Sequence, residues 1–159
     1  MKTVACLQTG RRVEVKTEAN VLQALLAERT PVKMACGGRG ICATCHIYIE
    51  SGAQALTPMT KKEERTLSLL GEATPSSRLA CQARVLGDGV VVRLPKGLYI
   101  ERSADLTELI GRRAESRILH PISGKTLVEE GKIITRSVVN ALAQVDVDMQ
   151  RLMEGSRDL

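Results

Sequence analysis

The sequence predicts an α+β fold in which a mixed β-sheet with covering helices is followed by a small α/β C-terminal extension. Short alternating apolar runs predict strands, capped apolar repeats predict helices, and the composition changes after Pro95. The chain has 159 residues, of which 43% are apolar and 26% are charged, as expected for one folded domain with an appendage or for two small domains that share a modest core. We therefore expect one domain over residues 1–98 and an extension over residues 99–159.

The first three elements are predicted from local patterns. Residues 2–8 and 12–16 resemble an opening β-hairpin, because a short turn containing glycine separates two strand-like runs. Asn20 can cap a helix that ends near Arg29. The apolar positions of this helix fall on one face and are Val21, Leu22, Leu25 and Leu26.

The middle of the domain alternates between loop, strand and helix. A glycine-rich stretch over residues 36–40 predicts a loop, because no regular element tolerates that density of glycine. Residues 46–50 alternate like a strand whose two isoleucines face inward. Thr60 and Glu63 have the spacing of a capping box and predict a helix that continues to Gly71.

The rest of the chain shows weaker signals. Residues 79–86 and 90–94 predict two strands around a Gly-Asp-Gly turn. In the extension we expect a short helix over residues 103–112, a hairpin over residues 116–128 and a longer helix over residues 134–154. An apolar stripe along that last helix consists of Val138, Leu142, Val145, Met149 and Leu152. The stripe either packs on the chain's own core or serves as a docking or homodimer face.

Charge and aromatic content exclude several classes of protein. Tyr48 and Tyr99 are the two aromatic residues, too few for a nucleic-acid reader that stacks bases. Residues 1–98 contain 14 Lys/Arg and 8 Asp/Glu, a net charge of +6, whereas residues 99–159 contain 9 and 10, a net charge of −1. Without an apolar signal-peptide core or a long apolar run, we expect a cytoplasmic protein with no membrane span.

Four of the five cysteines have the spacing of a metal site. Cys36, Cys42 and Cys45 form the pattern C-x5-C-x2-C, and Cys81 follows after 35 further residues. Since the cytoplasm keeps thiols reduced, we expect metal or redox chemistry and not disulfides. Four thiolates suit an iron–sulfur cluster or zinc. Zinc sites more often use two paired knuckles, and a redox dithiol of Cys42 and Cys45 would leave Cys36 without a role.

The glycines favour a [2Fe-2S] cluster over both alternatives. Such a cluster with four thiolates carries negative charge that grows on reduction, so its sulfurs must accept backbone N–H hydrogen bonds. Gly37, Gly38 and Gly40 permit that close approach and the positive φ angles that it requires. Arg39 lies inside the same loop and Lys33 just before it, where positive charge stabilises the reduced state.

Residues 1–95 resemble a [2Fe-2S] ferredoxin of the β-grasp fold. The strings ACGGRGICATCHIYI and SRLACQARV are similar to the adrenodoxin and putidaredoxin branch. That branch has five residues between its first two cysteines and a His after the third, matched here by Cys36, Cys42, Cys45, His46 and the later Cys81. The resemblance implies a mixed sheet with a covering helix, and one-electron transfer between a reductase and an acceptor protein.

Two departures from the branch concern the redox partners. Its members carry an acidic helix that docks a basic reductase, whereas the matching stretch here, residues 61–65, has mixed charge. The domain is also basic although ferredoxins tend to be acidic, so we expect partners with an acidic docking surface unless the basic face is merely solvated. The charge of Arg39 predicts a midpoint potential less negative than in plant-type ferredoxins.

Two hypotheses of function follow. The first is a diffusible one-electron carrier whose electrons leave at an exposed rim around Arg39 and Gly40. No enzyme activity is expected, because the sequence offers no paired carboxylates, nucleophile or phosphate-binding loop. The second is a redox-responsive adaptor or an assembly or regulatory factor whose cluster state controls what residues 99–159 bind, because a simple carrier does not require an extension.

Three further residues are expected to have structural roles. Cys6 is predicted to be a small buried apolar residue and not a fifth ligand. His46 is predicted to form structural hydrogen bonds, although proton-coupled chemistry is an alternative. His120, which precedes Pro121, is predicted to belong to a turn.

Overall fold

The computed structural model describes residues 1–30 and 32–155. Pro31 and residues 156–159, the end of the predicted extension, lie outside the described residues. The described residues form a five-stranded mixed sheet and a three-stranded sheet, with helices packed on them. This confirms the predicted α+β class. No α-helix within the described ranges has the length and apolar character needed to span a bilayer.

The five-stranded sheet brings the two ends of the predicted domain together. Strand β1 (Lys2–Cys6) pairs antiparallel with β2 (Arg12–Val15), which confirms the opening hairpin. It also pairs in parallel with β5 (Val90–Arg93). Strand β3 (His46–Ser51) pairs antiparallel with β5 and with β4 (Ser77–Leu79). The resulting strand order is β2-β1-β5-β3-β4, a sheet in which sequence-distant strands are neighbours.

Helix α1 (Val21–Ala27) packs on β1 and β2. It begins at Asn20, whose side chain accepts a hydrogen bond from the Gln23 N–H, while the Gln23 side chain accepts one from the Asn20 N–H. This reciprocal cap satisfies two N–H groups that would otherwise lack partners. Of the four predicted core positions, three are buried and Leu26 is exposed.

Helix α2 (Lys61–Ser68) begins at Thr60, whose hydroxyl accepts a hydrogen bond from the Glu63 N–H. The second half of the predicted capping box does not form, because the Glu63 carboxylate points into the protein. There it accepts hydrogen bonds from Arg78 at 2.7 and 3.1 Å and from the Leu79 N–H at 2.9 Å. Glu63 is fully buried, so this ion pair joins α2 to β4.

Of the two strands predicted around the Gly-Asp-Gly turn, the one over residues 90–94 forms as β5, but the one over residues 79–86 is wrong. Strand β4 ends at Leu79, and the chain then turns, because the N–H groups of residues 82–83 both donate to the Leu79 carbonyl. Strand β5 pairs with β1 and β3 instead of with this segment. The turn carries Cys81 out of the sheet toward the glycine-rich loop, so the fourth thiol comes from a turn and not from a strand.

The extension forms the second sheet. Strands β7 (Ile118–Leu119) and β8 (Thr126–Val128) make the predicted hairpin, and β6 (Leu98–Tyr99) pairs in parallel with β7. The predicted domain boundary after Leu98 therefore falls inside β6. Tyr99 packs into the core of the first sheet, so a truncation after Leu98 would remove part of that core.

The helices of the extension differ from the prediction. The predicted short helix is a 3₁₀ helix, Ser103–Leu109. The single helix predicted over residues 134–154 is two helices, α3 (Arg136–Ala141) and α4 (Ala143–Gly155), because the chain breaks at Leu142. The break allows α3 to pack on the 3₁₀ helix while α4 extends toward the glycine-rich loop.

Three of the five residues of the apolar stripe are buried within the chain and the other two, Val138 and Leu152, are half-buried, which favours the first of its two interpretations. Leu142 and Val145 belong to the core of the extension. Met149 packs instead against the glycine-rich loop, beside Cys36 and Cys42. These buried side chains are not available as a homodimer face.

The extension also covers one face of β3. The alternating pattern predicts that the two isoleucines of this strand face inward, but His46 and Tyr48 are buried as well. Tyr99 places its hydroxyl 3.3 Å from His46 Nδ1, and the Arg93 guanidinium lies 4.3 Å from the centre of the Tyr48 ring. Both faces of β3 are therefore covered, one of them partly by residues from beyond the first domain.

Candidate metal centre

The four cysteines of the predicted site come together at one end of the first sheet. Cys36, Cys42 and Cys45 lie on the loop between α1 and β3, and Cys81 lies in the turn after β4. All four are free thiols and all are buried. The Ala80 N–H donates to the Cys45 carbonyl at 3.0 Å and ties the turn to the loop.

The thiols form two close pairs. The hydrogen bond from the Cys42 thiol lowers the pKa of Cys36 to about 4. The Cys45 thiol likewise lowers the pKa of Cys81. The pKa values of Cys42 and Cys45 are raised, because each thiol shares its proton with its partner and is buried. Each pair thus places two sulfur atoms within hydrogen-bonding reach of each other.

This pairing bears on the choice between zinc and a two-iron cluster. Within residues 1–30 and 32–155, no three His, Cys, Asp or Glu side chains converge as the ligands of one metal ion. Two thiol pairs would instead supply two sulfurs for each of two metal ions, which is the donor set of a four-cysteine [2Fe-2S] cluster. The residues present therefore fit the cluster that the sequence predicts.

Backbone N–H groups of the loop point at the sulfur atoms. The Cys36 sulfur accepts hydrogen bonds from three of them, those of Arg39, Ile41 and Cys42. The Cys81 sulfur accepts one from the Gly40 N–H. Such N–H donors stabilise negative charge on thiolates and on the cluster that they bind.

The path of the loop depends on its glycines. Three of them have positive φ angles, namely Gly37 at 70°, Gly38 at 84° and Gly40 at 76°. A Cβ atom at Gly40 would lie 2.7 Å from the Gln82 side chain, closer than packing allows. Gly40 is also held by the Thr66 hydroxyl of α2, which donates to its carbonyl at 2.6 Å. The loop can therefore follow this path because Gly40 has no side chain.

Two residues of the site were missed by sequence reasoning. The Gln82 side-chain amide donates to the Gly38 carbonyl at 3.1 Å and to Cys81 Sγ at 3.4 Å, so it spans loop and turn. The Thr44 hydroxyl lies 3.2 Å from Cys42 Sγ. In the sequence, each of them is only a polar residue next to a cysteine. Such a position does not reveal the direction of the side chain, which the tertiary structure decides.

The exposed rim of the loop differs from the predicted one. Met34, Gly37 and Arg39 are exposed, whereas Gly40 is buried beneath Gln82. The Arg39 guanidinium lies 4.0 Å from Met153 Sδ on α4. The rim predicted around Arg39 and Gly40 is thus corrected to residues 37–39, with Met34 beside them.

His46 lies beneath the site in a structural role, as predicted. Its Nε2 is 2.8 Å from the Ser77 hydroxyl, and its Nδ1 faces the Tyr99 hydroxyl. Burial lowers the pKa of His46 to about 4, so the ring is neutral near pH 7. Cys6 is buried in β1 with its thiol 3.7 Å from Gln8 Oε1, away from the four paired thiols.

Known proteins share the first part of this chain. A family model described as "2Fe-2S iron-sulfur cluster binding domain" matches residues 4–86. Rhodocoxin from Rhodococcus erythropolis is 39% identical over 93 residues, which cover 55% of this chain and 87% of rhodocoxin. This agrees with the predicted resemblance to the putidaredoxin branch.

Solved structures extend the likeness to the fold. The ISC-like [2Fe-2S] ferredoxin (FdxB) from Pseudomonas putida JCM 20004 superposes with a TM-score of 0.55 at 30% identity, covering 60% of this chain and 93% of that one. A chain of the covalent putidaredoxin reductase–putidaredoxin complex superposes with a TM-score of 0.51 at 29% identity, covering 59% and 98%. The predicted β-grasp ferredoxin fold is confirmed. The chain belongs to the family of 2Fe-2S iron-sulfur cluster binding domains, and the group that it binds is a [2Fe-2S] cluster.

Proposed function

We propose that this protein is a one-electron carrier that shuttles electrons between a reductase and an acceptor protein. The observation that carries the proposal is the position of the two thiol pairs directly beneath an exposed loop, residues 37–39. When bound, the cluster supplies a centre that takes up and releases one electron. A carrier of this kind needs a short path from the cluster to a partner and no general base or nucleophile.

The proposed ligands are the four paired cysteines. Cys36 and Cys42 would hold one iron, and Cys45 and Cys81 the other. Gly37, Gly38, Arg39 and Gly40 form the proposed cofactor-binding loop, in which the glycines set the backbone path and the N–H groups of Arg39 and Gly40 donate toward sulfur. The same N–H groups would oppose the negative charge that the cluster gains on reduction.

The proposed partners present an acidic surface to this loop. Arg39 is exposed on the rim, and α2, which contacts the loop through Thr66, exposes Lys61, Lys62 and Arg65. Glu63 of the same helix is buried, so of the two α2 carboxylates only that of Glu64 offsets these three charges at the surface. A reductase is proposed as the electron donor because the putidaredoxin reductase–putidaredoxin complex contains a chain of the same fold. Opposite charges would raise the rate of encounter.

The cluster itself is tested by colour and spin. We expect the protein, purified aerobically, to be red-brown, and dithionite to bleach it and produce a rhombic electron paramagnetic resonance signal of one unpaired spin per two irons. Colourless protein that contains zinc alone would refute the proposal.

The ligand set is tested by a matched pair of cysteine variants. Cys81→Ser is expected to lose most of its iron and visible absorbance, because one iron then lacks a thiolate. Cys6→Ser, which changes a buried cysteine away from the site, is expected to retain both. Equal iron content in the two variants would contradict the assignment of Cys81.

The acidic docking surface is tested by the kinetics of cluster reduction by a reductase whose docking surface is acidic, with a reductase whose docking surface is basic as the control. The rate of cluster reduction is expected to fall as ionic strength rises, because salt screens the attraction. Arg65→Glu on α2 is expected to slow reduction, whereas Arg12→Glu on β2 is expected to leave it unchanged. A rate that is independent of salt and of Arg65 would refute an acidic docking surface.

A further inference from the structure

The β7–β8 turn of the extension lies directly against the cysteine loop. The Ala43 N–H, which lies between two of the proposed ligands, donates to the Pro121 carbonyl at 2.7 Å. Pro121 is fully buried, and Ile122 packs against the group of side chains that includes Cys36 and Cys42. The loop that carries three of the four thiols is therefore held by a main-chain hydrogen bond from the extension.

His120 sets the conformation of this turn. Its Nδ1 accepts hydrogen bonds from the N–H groups of Ile122 at 3.1 Å and Ser123 at 3.3 Å. Because Nδ1 acts as an acceptor, these contacts assign the ring proton to Nε2. Nε2 lies 3.3 Å from the Asp148 carboxylate on α4 and donates to it. One side chain thus joins the turn to the helix.

Helix α4 reaches the same loop from its own side. Met149, which follows Asp148, is buried against Cys36, Ile41 and Cys42. Asp146 on the preceding turn of α4 accepts hydrogen bonds from the Ser103 N–H at 2.7 Å and the Ser103 hydroxyl at 2.6 Å. These hydrogen bonds join α4 to the 3₁₀ helix, close to the point where Met149 contacts the cysteine loop.

We propose that the extension is a clamp on the cluster-binding loop and that His120 is the positioning residue of the clamp. His120 holds the Pro121 carbonyl at the Ala43 N–H and links this turn to the helix that carries Met149. The family model ends at residue 86, so all the extension residues of the clamp lie beyond the shared part of the chain. The inference rests on the proposed ligand set, because it assigns a role to the loop that carries those ligands.

The clamp limits how often the cysteine loop opens. An open loop exposes its amides to exchange with solvent and exposes the cluster to chelators. The proposal therefore predicts that removing the hydrogen bonds of the His120 side chain accelerates both amide exchange in the loop and loss of the cluster to chelators. Hydrogen–deuterium exchange of the peptide that spans residues 41–46, measured on the full-length cluster-loaded protein, reports the first process. Bleaching of the visible absorbance in the presence of EDTA reports the second.

His120→Ala is the main variant. We expect its residue 41–46 exchange and its bleaching to be roughly five- to tenfold faster than in the wild type, the scale set by one or two lost hydrogen bonds. His120→Asn is expected to restore most of the protection, because an Asn side-chain oxygen can accept the Ile122 N–H in the same type of turn. Wild-type rates in folded His120→Ala, or equal acceleration in both variants, would overturn the role of His120.

A second pair of variants tests the helix side of the clamp and does not depend on the folding of His120→Ala. Met149→Ala removes the buried contact, and Val147→Ala changes an exposed position on the same helix. Faster exchange of residues 41–46 in the first and not in the second supports the clamp, and equal rates overturn it. Hydrogen–deuterium exchange involves no electron transfer. If the exchange rates contradict the clamp, the proposed carrier function is therefore unaffected. If the protein does not carry electrons, the exchange rates still test the clamp.

Discussion

Replacing Glu63 by Gln removes one charge of the buried ion pair between α2 and β4. The Glu63 side chain is 0% exposed and that of Arg78 is 10% exposed, so the neutral amide would leave a guanidinium charge without a counter-ion away from water. Removal of one partner from a buried, hydrogen-bonded pair costs about 3–5 kcal/mol. We take about 3 kcal/mol, the lower end of that range, because a glutamine oxygen in the place of Glu63 Oε2 can still accept two of the three hydrogen bonds that Glu63 accepts.

For a chain of this length each kcal/mol changes Tm by about 2–4 °C, so Glu63→Gln is expected to unfold about 10 °C below the wild type. The measurement is thermal unfolding at a fixed heating rate, followed by far-ultraviolet circular dichroism and by cluster absorbance. Both signals should shift together, because the Leu79 N–H that Glu63 binds lies two residues before Cys81. A dichroism transition that moves without the cluster signal would refute that link.

Glu64→Gln is the matched control, because Glu64 is the next residue of the same helix and is exposed. It is expected to leave Tm unchanged, since isolated surface charges contribute little. The double variant Glu63→Leu with Arg78→Met removes both charges and is expected to recover much of the loss, because well-packed apolar residues can replace a buried ion pair. Equal Tm values for Glu63→Gln and Glu64→Gln would refute the reasoning.

Two other predictions concern the cysteine loop. Arg39→Glu is expected to lower the midpoint potential by on the order of tens of millivolts, because it reverses a charge beside the cluster that solvent partly screens. Redox titration measures the potential, with Arg12→Glu as a control far from the cluster. Equal potentials in the two variants would contradict the prediction. Gly40→Ala is expected to lower the iron content. The backbone φ angle at this position is +76°, which strains an alanine, and the added Cβ atom would lie 2.7 Å from the Gln82 side chain. Gly37→Ala, at φ +70° in open space on the same loop, is the control for backbone strain alone, and equal iron content in the two variants would show that the contact with Gln82 is unimportant.

The parts of the fold predicted correctly depend on neighbours close in the chain. Asn20 and Thr60 cap helices because their side chains reach N–H groups three residues later. The β7–β8 hairpin forms around a turn that contains Pro121 and Gly124. Such interactions close small rings of atoms, so the residue types alone predict them.

The incorrect predictions concern segments whose partners are distant. Residues 79–86 alternate like a strand, yet β1 and β3 occupy both sides of β5, so no edge of that strand remains for them. Glu63 has the spacing of a cap, but the buried Arg78 guanidinium attracts its carboxylate more strongly than a solvated N–H would. The break at Leu142 follows from packing of α3 and α4 on different parts of the molecule.

By itself, the sequence determined the chemistry of the centre: four thiols at a characteristic spacing, and glycines that adopt positive φ angles because they lack a Cβ atom. Tertiary structure alone decided which thiols pair, that Gly40 is covered by Gln82, and that the extension returns to the cysteine loop. The physical reason is how far apart in the chain the interacting groups lie. A residue's backbone freedom and its donor atoms are properties of that residue, whereas a hydrogen bond from Ala43 to Pro121 exists only when packing has brought two distant segments together.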